Sequence, residues 1–296
     1  MLSFHTLDVF TDRPFSGNPL AVVMGADGLT PAQMQTIARE FNLSETIFVM
    51  APQDPANTAR VRIFLPTAEI PFAGHPTIGC AIHLAMARHP ADAVTHLVLE
   101  EEAGLVPVTV THKGGAVLAE LTAPVLPMAT GADVPADLAA RALGLAEVGF
   151  GNHRPGVHQG GPGYINIPLR TLNDLARARP VEPYWSDLTT GAGVPAAFLY
   201  TPGTDCDYRS RMYWPQSGVL EDPATGSATA IFAAQLLEAG ALTPGTNRLV
   251  LRQGVEMGRP STLHLTVELG PQGLTRVRIA GSAVAVSQGR IAIPAE

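Results

Sequence analysis

The chain has 296 residues, with 19 lysine and arginine residues against 26 aspartate and glutamate residues, so its formal net charge is −7. Hydrophobic residues make up 46% of the sequence and charged residues 15%, which excludes a disordered chain. The acidic balance argues against nucleic acid as a partner, because no basic cluster is available to neutralise phosphates. At about 150 residues per domain, the length predicts two domains, each able to bury its own core.

The sequence carries no sign of export or of membrane insertion. The first ten residues are typical of a strand rather than of a signal peptide, and no stretch approaches about 18 uncharged apolar residues. Cys80 and Cys206 are too few for a disulfide framework; they fit a reducing compartment, or at most one bridge. We therefore expect a cytoplasmic protein with no membrane partner.

The predicted elements are short, because 29 glycines and 26 prolines punctuate the chain. Thr30 at the N-cap and Pro31 at the first helical position predict a helix that runs to Phe41. Alternating or apolar patterns predict strands over residues 4–10, 20–24, 46–50, 61–65, 93–100, 105–111, 263–267, 275–279 and 283–286.

The segment 122–135 is rich in proline, alanine and glycine and is the best candidate for a linker. It separates a predicted first domain, residues 1–125, from a predicted second domain, residues 135–282. We expect the final strands, about 283–296, to return to the first domain.

Part of the first half of the sequence recurs in the second half. Residues 62–66 resemble residues 211–215, and residues 69–77 resemble residues 221–229. In each copy a strand that ends in proline leads to a turn with glycine and then to an apolar helix. This repeat predicts two similar α/β domains related by approximate two-fold symmetry, with the site in a cleft between them.

Both copies of the repeat end at a helix N-terminus. Pro76 suits the first helical position and places His75 at or near the N-cap, while Thr225, Gly226 and Ser227 supply the cap residues of the second copy. Unpaired N–H groups and the helix dipole favour a carboxylate or another small anion at such a position. The structural alternative is a pair of ordinary capped core helices.

The side chains beside the two helix starts differ between the copies. Ser227 stands where the first copy has His75, and Asp222 stands where it has Ile70. A purely structural repeat does not need these polar residues, so we predict that they contact a substrate. Glu45 has no counterpart in the second half, which favours a single acid/base group acting alone over a carboxylate that merely faces solvent.

Several common cofactor and metal motifs are missing from the sequence. It has no Walker A loop, no GxGxxG after a strand and no HExxH, and its histidines show no metal-ligand spacing. Lys113 lies in a predicted hairpin turn, a poor position for a Schiff base. Cys80 and Cys206 do not stand at the helix starts, which disfavours a two-thiol racemase. We expect neither a cofactor nor a metal.

The sequence resembles the PhzF family, the phenazine-biosynthesis isomerases and their relatives. The resemblance lies in segments that span nearly the whole chain in the family's order, namely residues 8–20, 44–48, 62–79, 221–228 and 253–261. It implies an α+β fold like that of diaminopimelate epimerase. In that fold two pseudo-symmetric domains each wrap a curved, mostly antiparallel sheet around a central helix.

The resemblance also implies an activity and a set of site residues. The family is usually homodimeric and needs no cofactor, and its characterised member moves a hydrogen within trans-2,3-dihydro-3-hydroxyanthranilate. Glu45 then corresponds to the proton-transfer group. The corresponding substrate-binding groups are His75, Asp222, Ser227 and the backbone N–H groups around Gly74 and Gly226.

These observations together predict a cofactor-independent isomerase that shifts a proton on a small carboxylate-bearing metabolite. One alternative is a racemase or epimerase of an amino or hydroxy acid, which needs acid/base groups on both faces of a carbon, whereas Glu45 alone is convincing. Another alternative is a binding protein that keeps the cleft without turnover. The sequence does not name the substrate.

Overall fold

The computed structural model of the chain describes residues 1–295. Glu296, the last residue of the segment predicted to return to the first domain, lies outside the described residues. The chain folds into two compact units. Unit 1 contains residues Met1–Thr122 and the segment from Ala280 onward, and unit 2 contains residues Ala123–Ile279.

Strands predominate in both units. Unit 1 contains, in chain order, β1 (Leu2–Val9), β2 (Asn18–Met24), α1 (Pro31–Phe41), β3 (Glu45–Met50), β4 (Ala59–Phe64), β5 (Glu69–Ile70), α2 (Gly74–Arg88), β6 (Ala93–Glu101), β7 (Gly104–Lys113), β8 (Ala116–Thr122) and the final strand β18 (Ala283–Ile291). Unit 2 contains β9 (Met128–Ala129), α3 (Ala136–Ala142), β10 (Gly156–Gln159), β11 (Gly163–Pro168), α4 (Leu172–Arg177), α5 (Tyr184–Ala192), β12 (Ala197–Pro202), β13 (Tyr208–Trp214), a 3₁₀ turn (Pro215–Ser217), β14 (Val219–Asp222), α6 (Gly226–Glu238), β15 (Gly245–Gln253), β16 (Ser261–Gly270) and β17 (Gly273–Gly281), whose last two residues belong to unit 1.

The two units share one scheme of strand pairing. In unit 1, β2 is antiparallel to β1 and parallel to β3, while β4 is antiparallel to β3 and β5 and parallel to β6. In unit 2, β11 is antiparallel to β10 and parallel to β12, while β13 is antiparallel to β12 and β14 and parallel to β15. Antiparallel pairs outnumber parallel ones, so the α+β fold of two internally similar units is confirmed.

Each unit has one helix that is buried on nearly all sides. In α2, 11 of the 15 residues are buried, and in α6, 10 of the 13 residues are buried. A helix that is apolar all round lies in a core rather than on a surface. A Cβ on Gly79 of α2 would lie 2.5 Å from Leu20 Cδ2 and 2.7 Å from Val9 Cγ2. The helix therefore approaches β1 and β2 as closely as glycine allows.

The repeat in the sequence also reappears as a matched pair of ion pairs. Arg62 on β4 binds both carboxylate oxygens of Glu69 on β5, at 2.6 and 2.5 Å. Arg211 on β13 binds both carboxylate oxygens of Glu221 on β14, at 2.7 and 2.8 Å. Bidentate pairs of this kind fix the geometry of both partners. In each unit the pair fastens the short strand that leads into the buried helix.

The local predictions hold in most places. The helix Pro31–Phe41 is confirmed, and Thr30 and Gln33 form a capping box at its start. Eight of the nine predicted strands are present with both ends within three residues of the expected positions, whereas the last one, predicted over residues 283–286, extends to Ile291. Cys80 and Cys206 are both free. No helix within residues 1–295 is long and apolar enough to cross a membrane.

The prediction for the start of α2 is wrong in its details. Ala73, with an extended backbone, occupies the N-cap, so His75 is the second helical residue and Pro76 the third. Pro76 is tolerated there because N–H groups in the first helical turn have no intrahelical partner. At α6, Thr225 occupies the N-cap as predicted, but its side chain makes no capping bond.

Candidate active site

Glu45 is placed by the end of one helix and the start of the next strand. Helix α1 stops at Asn42, which adopts a left-handed conformation (φ 50°, ψ 35°) that asparagine tolerates at a helix end. Strand β3 begins three residues later with Glu45, which lies opposite Leu20 on the parallel strand β2. Residues that lie opposite on neighbouring strands share a face of the sheet. Glu45 therefore lies on the face against which α2 packs.

His75 meets Glu45 at the start of α2. Its Nδ1 atom lies 2.9 Å from Oε2 of Glu45, and the two side chains are 4% and 15% exposed. A separation of thirty residues in the chain thus becomes a direct contact between two titratable groups. The contact has the length of an ion pair, but Oε2 of Glu45 makes no hydrogen bond among the described residues. A carboxylate that is largely shielded from water has few competing solvent partners, which suits an acid/base group.

The N-cap residue of α2 makes no side-chain capping bond. Ala73 at the N-cap has no polar side chain, and the first backbone bond, from Thr77 N to Ala73 O, is long at 3.4 Å. Gly74, the first helical residue, is buried and carries no side chain that could shield the helix terminus. The terminus thus keeps its partial positive charge for an anion.

Asp222 lies at the end of β14, in the turn before α6, and is buried. Its Oδ2 accepts a hydrogen bond from the Thr225 hydroxyl at 2.5 Å. The side chain of Gln253 holds the same turn, donating to the carbonyl of Asp222 at 2.7 Å and to Thr225 Oγ1 at 2.9 Å, and accepting from Thr225 N at 3.1 Å. The carboxylate is therefore held by a turn that is itself held by the Gln253 side chain.

Ser227 and Gly226 occupy the first two positions of α6. The Ser227 hydroxyl lies 2.9 Å from the Tyr164 hydroxyl on β11, and either atom can be the donor. As at α2, the side chain of the N-cap residue makes no capping bond. The second helix start therefore also offers backbone N–H groups beside a hydroxyl and a carboxylate.

The structure brings the predicted residues together in two groups. Glu45, Gly74 and His75 lie together in unit 1, which we name the Glu45 group. Asp222, Gly226 and Ser227 surround the start of α6 in unit 2, which we name the Asp222 group. That all six residues contact a substrate stays a prediction.

Three residues support the Asp222 group in ways that the sequence did not predict, although Thr225 was expected as a helix cap. They are Thr225, whose hydroxyl bonds Asp222, Gln253, which holds the turn, and Tyr164, which meets Ser227. Gln253 stands in one of the segments that carry the family resemblance, which is the one signal that could have drawn attention to it. Tyr164 lies in a strand whose pattern indicates only burial.

Metal and thiol chemistry have little support in the described part of the chain. Within residues 1–295 no three histidine, cysteine or acidic side chains are grouped so that they could hold a metal ion. Cys80 lies inside α2, and burial raises the pKa of its thiol far above the ordinary value. A buried thiol of this kind is a poor nucleophile or base.

Comparison with known proteins gives a consistent family. The sequence matches the PhzC-PhzF family, described as phenazine biosynthesis-like protein, over residues 7–289. It is 41% identical over 294 residues to an uncharacterised isomerase of Mesorhizobium japonicum, covering 97% of each chain. It is 36% identical over 293 residues to the trans-2,3-dihydro-3-hydroxyanthranilate isomerase of Pseudomonas fluorescens, covering 99% of this chain and 100% of that protein.

The fold matches a solved structure over its whole length. The crystal structure of a phenazine biosynthesis protein of the PhzF family from Bacillus anthracis superposes with a TM-score of 0.85 at 23% identity, covering 99% of each chain. Two internally similar units, each built on a buried helix, give the chain an epimerase-like fold. The chain belongs to the PhzC-PhzF family, and like its named relatives in that family it is an isomerase.

Proposed function

We propose that the chain is a cofactor-independent isomerase that transfers a proton between two carbons of a small carboxylate-bearing metabolite, with Glu45 as the proton-transfer group. The observation that carries this proposal is the 2.9 Å contact between Glu45 and His75 at the uncapped start of a buried helix. It supplies an acid/base carboxylate and an anion-binding terminus within one turn of helix.

The proposed reaction needs no external proton, electron or group carrier. Glu45, as a carboxylate, accepts the proton from one carbon, and the electron pair of that C–H bond moves into the adjoining double-bond system. The protonated Glu45 then donates the proton to a second carbon of the same substrate. Proton and charge balance over the cycle, and the product is an isomer. One group suffices because the proton leaves and returns on the same face of the substrate.

The remaining site residues bind and orient the substrate in this proposal. Backbone N–H groups around Gly74 and Gly226 hold the substrate carboxylate, since helix N-termini favour anions. His75 holds Glu45 in place and, with Asp222 and Ser227, contacts the polar groups of the substrate. The sequence-based hypothesis that the Glu45 group and the Asp222 group act on one substrate is part of the proposal.

The experiment that tests the proposal is isotope exchange in D₂O. The wild-type protein is incubated with trans-2,3-dihydro-3-hydroxyanthranilate, the substrate in the name of the Pseudomonas fluorescens relative, and with a panel of other small unsaturated carboxylic acids. Products are followed by mass spectrometry and NMR. We expect an isomer that carries deuterium at one specific carbon, because a carboxylic acid exchanges its proton with solvent between transfers.

Glu45→Gln is the matched control, since it preserves size and hydrogen-bonding capacity while removing the proton acceptor. We expect it to bind the same substrate without isomerising it or exchanging its carbon-bound hydrogen. Isomerisation at the wild-type rate in Glu45→Gln contradicts the proposed role of Glu45. Binding without exchange in the wild type across the panel favours the alternative of a non-catalytic binding protein.

A further inference from the structure

A second acidic residue reaches the helix turn that carries His75. Glu101, the last residue of β6, is buried, and its Oε1 lies 2.6 Å from the hydroxyl oxygen of Thr77 in the first turn of α2. The same hydroxyl lies 2.7 Å from the carbonyl oxygen of Ala73, the N-cap residue. A chain of three oxygen atoms thus joins Glu101 to the residue at which α2 starts.

The number of protons available to these three oxygen atoms decides whether Glu101 is protonated. The Thr77 hydroxyl has one proton and cannot donate it to the Ala73 carbonyl and to a carboxylate at once. Both contacts are hydrogen bonds only if Glu101 is protonated and donates to Thr77, which in turn donates to Ala73. The other oxygen, Oε2, is buried without a hydrogen-bond partner among the described residues. A neutral carboxyl group tolerates that burial far better than a carboxylate.

The charged groups near Glu101 do not stabilise it as a carboxylate. Arg62 already donates from Nε and Nη2 to the two carboxylate oxygens of Glu69. Arg60, on the neighbouring strand, lines the same cavity of about 430 Å³ as Glu101, Glu100 and Glu102, so acidic groups outnumber it there. From α2, the Cys80 thiol interacts electrostatically with Glu101, and its raised pKa keeps it neutral.

The burial of Glu101 also favours its protonated form. Burial raises the pKa of Glu101 to about 8, and the hydrogen bond with Thr77 opposes that rise only in part. Near neutral pH the carboxyl group is protonated. At higher pH the proton leaves, and the Thr77 hydroxyl turns toward the carboxylate. Ala73 then keeps only the long 3.4 Å bond from the Thr77 backbone.

We propose that Glu101 is a positioning residue that acts through Thr77: its protonated carboxyl group holds the first turn of α2, and with it His75, in place against Glu45. Its link to catalysis rests on the proposed roles of Glu45 and His75. Loss of the proton loosens the helix start, so the geometry of the Glu45 group is best at and below neutral pH. Glutamine at position 101 preserves the hydrogen-bond chain at every pH, because its amide N–H₂ donates to Thr77 permanently.

The test compares wild type, Glu101→Gln and Glu102→Gln between about pH 6 and about pH 10. This range brackets the raised pKa of Glu101. The first readout is the NMR signal of the His75 ring in histidine-labelled protein, assigned by its loss in His75→Asn. It needs no ligand. We expect the His75 signal to show an alkaline inflection near the pKa of Glu101 in wild type and in Glu102→Gln, and none in Glu101→Gln. Glu102→Gln is the control because the Glu102 side chain is exposed.

The second readout is the pH profile of kcat/KM with trans-2,3-dihydro-3-hydroxyanthranilate. We expect wild type to lose roughly tenfold above the inflection, the effect of about one buried hydrogen bond, and Glu101→Gln to lose none. Thr77→Val should show the low value at every pH, and Thr77→Ser should restore the wild-type profile.

The outcomes separate this inference from the proposed function. An alkaline inflection of the His75 signal that persists in Glu101→Gln, or that is absent from wild type, overturns the role of Glu101 whatever the activity. A Glu101-dependent inflection together with full activity in Glu45→Gln overturns the proposed catalytic role of Glu45 and leaves the link between Glu101 and the helix start supported.

Discussion

Nδ1 of His75 and Oε2 of Glu45 lie 2.9 Å apart, although the two residues belong to different elements and neither side chain is freely exposed to water. Two features of the structure produce this contact. The left-handed turn at Asn42 ends α1 so that Glu45 begins the next strand. Helix α2 packs closely on β1 and β2 at Gly79, and on β2 Leu20 lies opposite Glu45. The contact is therefore a product of packing in unit 1.

Glu45 and His75 are expected to differ in the way their loss affects the enzyme. Glu45→Gln should lower kcat by about 10²–10⁴-fold with substrate affinity preserved, because a general acid/base group acts in the transition state. His75→Ala should weaken binding as well as turnover, because it removes a contact and frees the Glu45 side chain. Steady-state kinetics and calorimetric titration of each variant separate the two patterns. Equal effects of both variants on kcat and affinity contradict the division of roles.

Thr225 offers a test of the turn that holds Asp222. Thr225→Val removes the hydroxyl that donates to Asp222 and accepts from Gln253, and leaves buried polar atoms with fewer partners. We expect the free energy of unfolding to fall by about 1–3 kcal/mol and substrate affinity to fall with it. Thr225→Ser retains the hydroxyl and should keep most of both. Urea denaturation and ligand titration of the pair give the comparison, and a Val variant as good as the Ser variant argues against a role for this hydroxyl.

Glu101 should give the free energy of unfolding a specific pH dependence. Its pKa is about 8 in the folded protein against an ordinary value of 4.5, so between these values the folded state binds more protons than the unfolded chain. The stabilising contribution is complete below the lower value and is lost as the pH rises to the upper one, with a slope of at most about 1.4 kcal/mol per pH unit.

Glu101→Gln lacks this titration. We therefore expect the difference in unfolding free energy between wild type and Glu101→Gln to change in favour of the variant as the pH rises through that window. Chemical denaturation at a series of pH values measures the difference. Parallel curves for the two proteins show that Glu101 is not protonated in the folded state.

Gly79 provides a test of how closely α2 packs on β1 and β2. Gly79→Ala places a methyl group within 2.7 Å of buried atoms of Leu20 and Val9, and we expect a loss of about 1–3 kcal/mol from overpacking. Gly191→Ala, in the exposed part of α5 with no atom within 4 Å of the new Cβ, is the matched control. It should gain about 0.5–1 kcal/mol, since alanine loses less backbone entropy in a helix. Denaturation midpoints that move in the same direction for both variants contradict the packing argument.

Local signals in the sequence predicted a large part of the fold. Thr30 and Pro31 predicted the start of α1, and the capping box that Thr30 forms with Gln33 lies within the same turn. The recurrence of Arg62 and Glu69 as Arg211 and Glu221 predicted two similar halves. Such features are legible because capping, chain stiffness and apolar periodicity depend on neighbours in the chain. The family resemblance extended the prediction to the candidate site residues.

Tertiary structure alone decided which of these residues meet. The sequence has three consecutive glutamates at 100–102, and nothing in that run says that Glu101 is buried against Thr77 while Glu100 accepts bonds from the backbone of Gln53 and Asp54. The register of β6 makes that choice. The sequence by itself determined the elements, the repeat and the chemistry available at each helix start. The contacts of Glu45 with His75, of Asp222 with Thr225 and of Glu101 with Thr77 depend on strand register and helix packing, because cooperative burial acts between residues far apart in the chain.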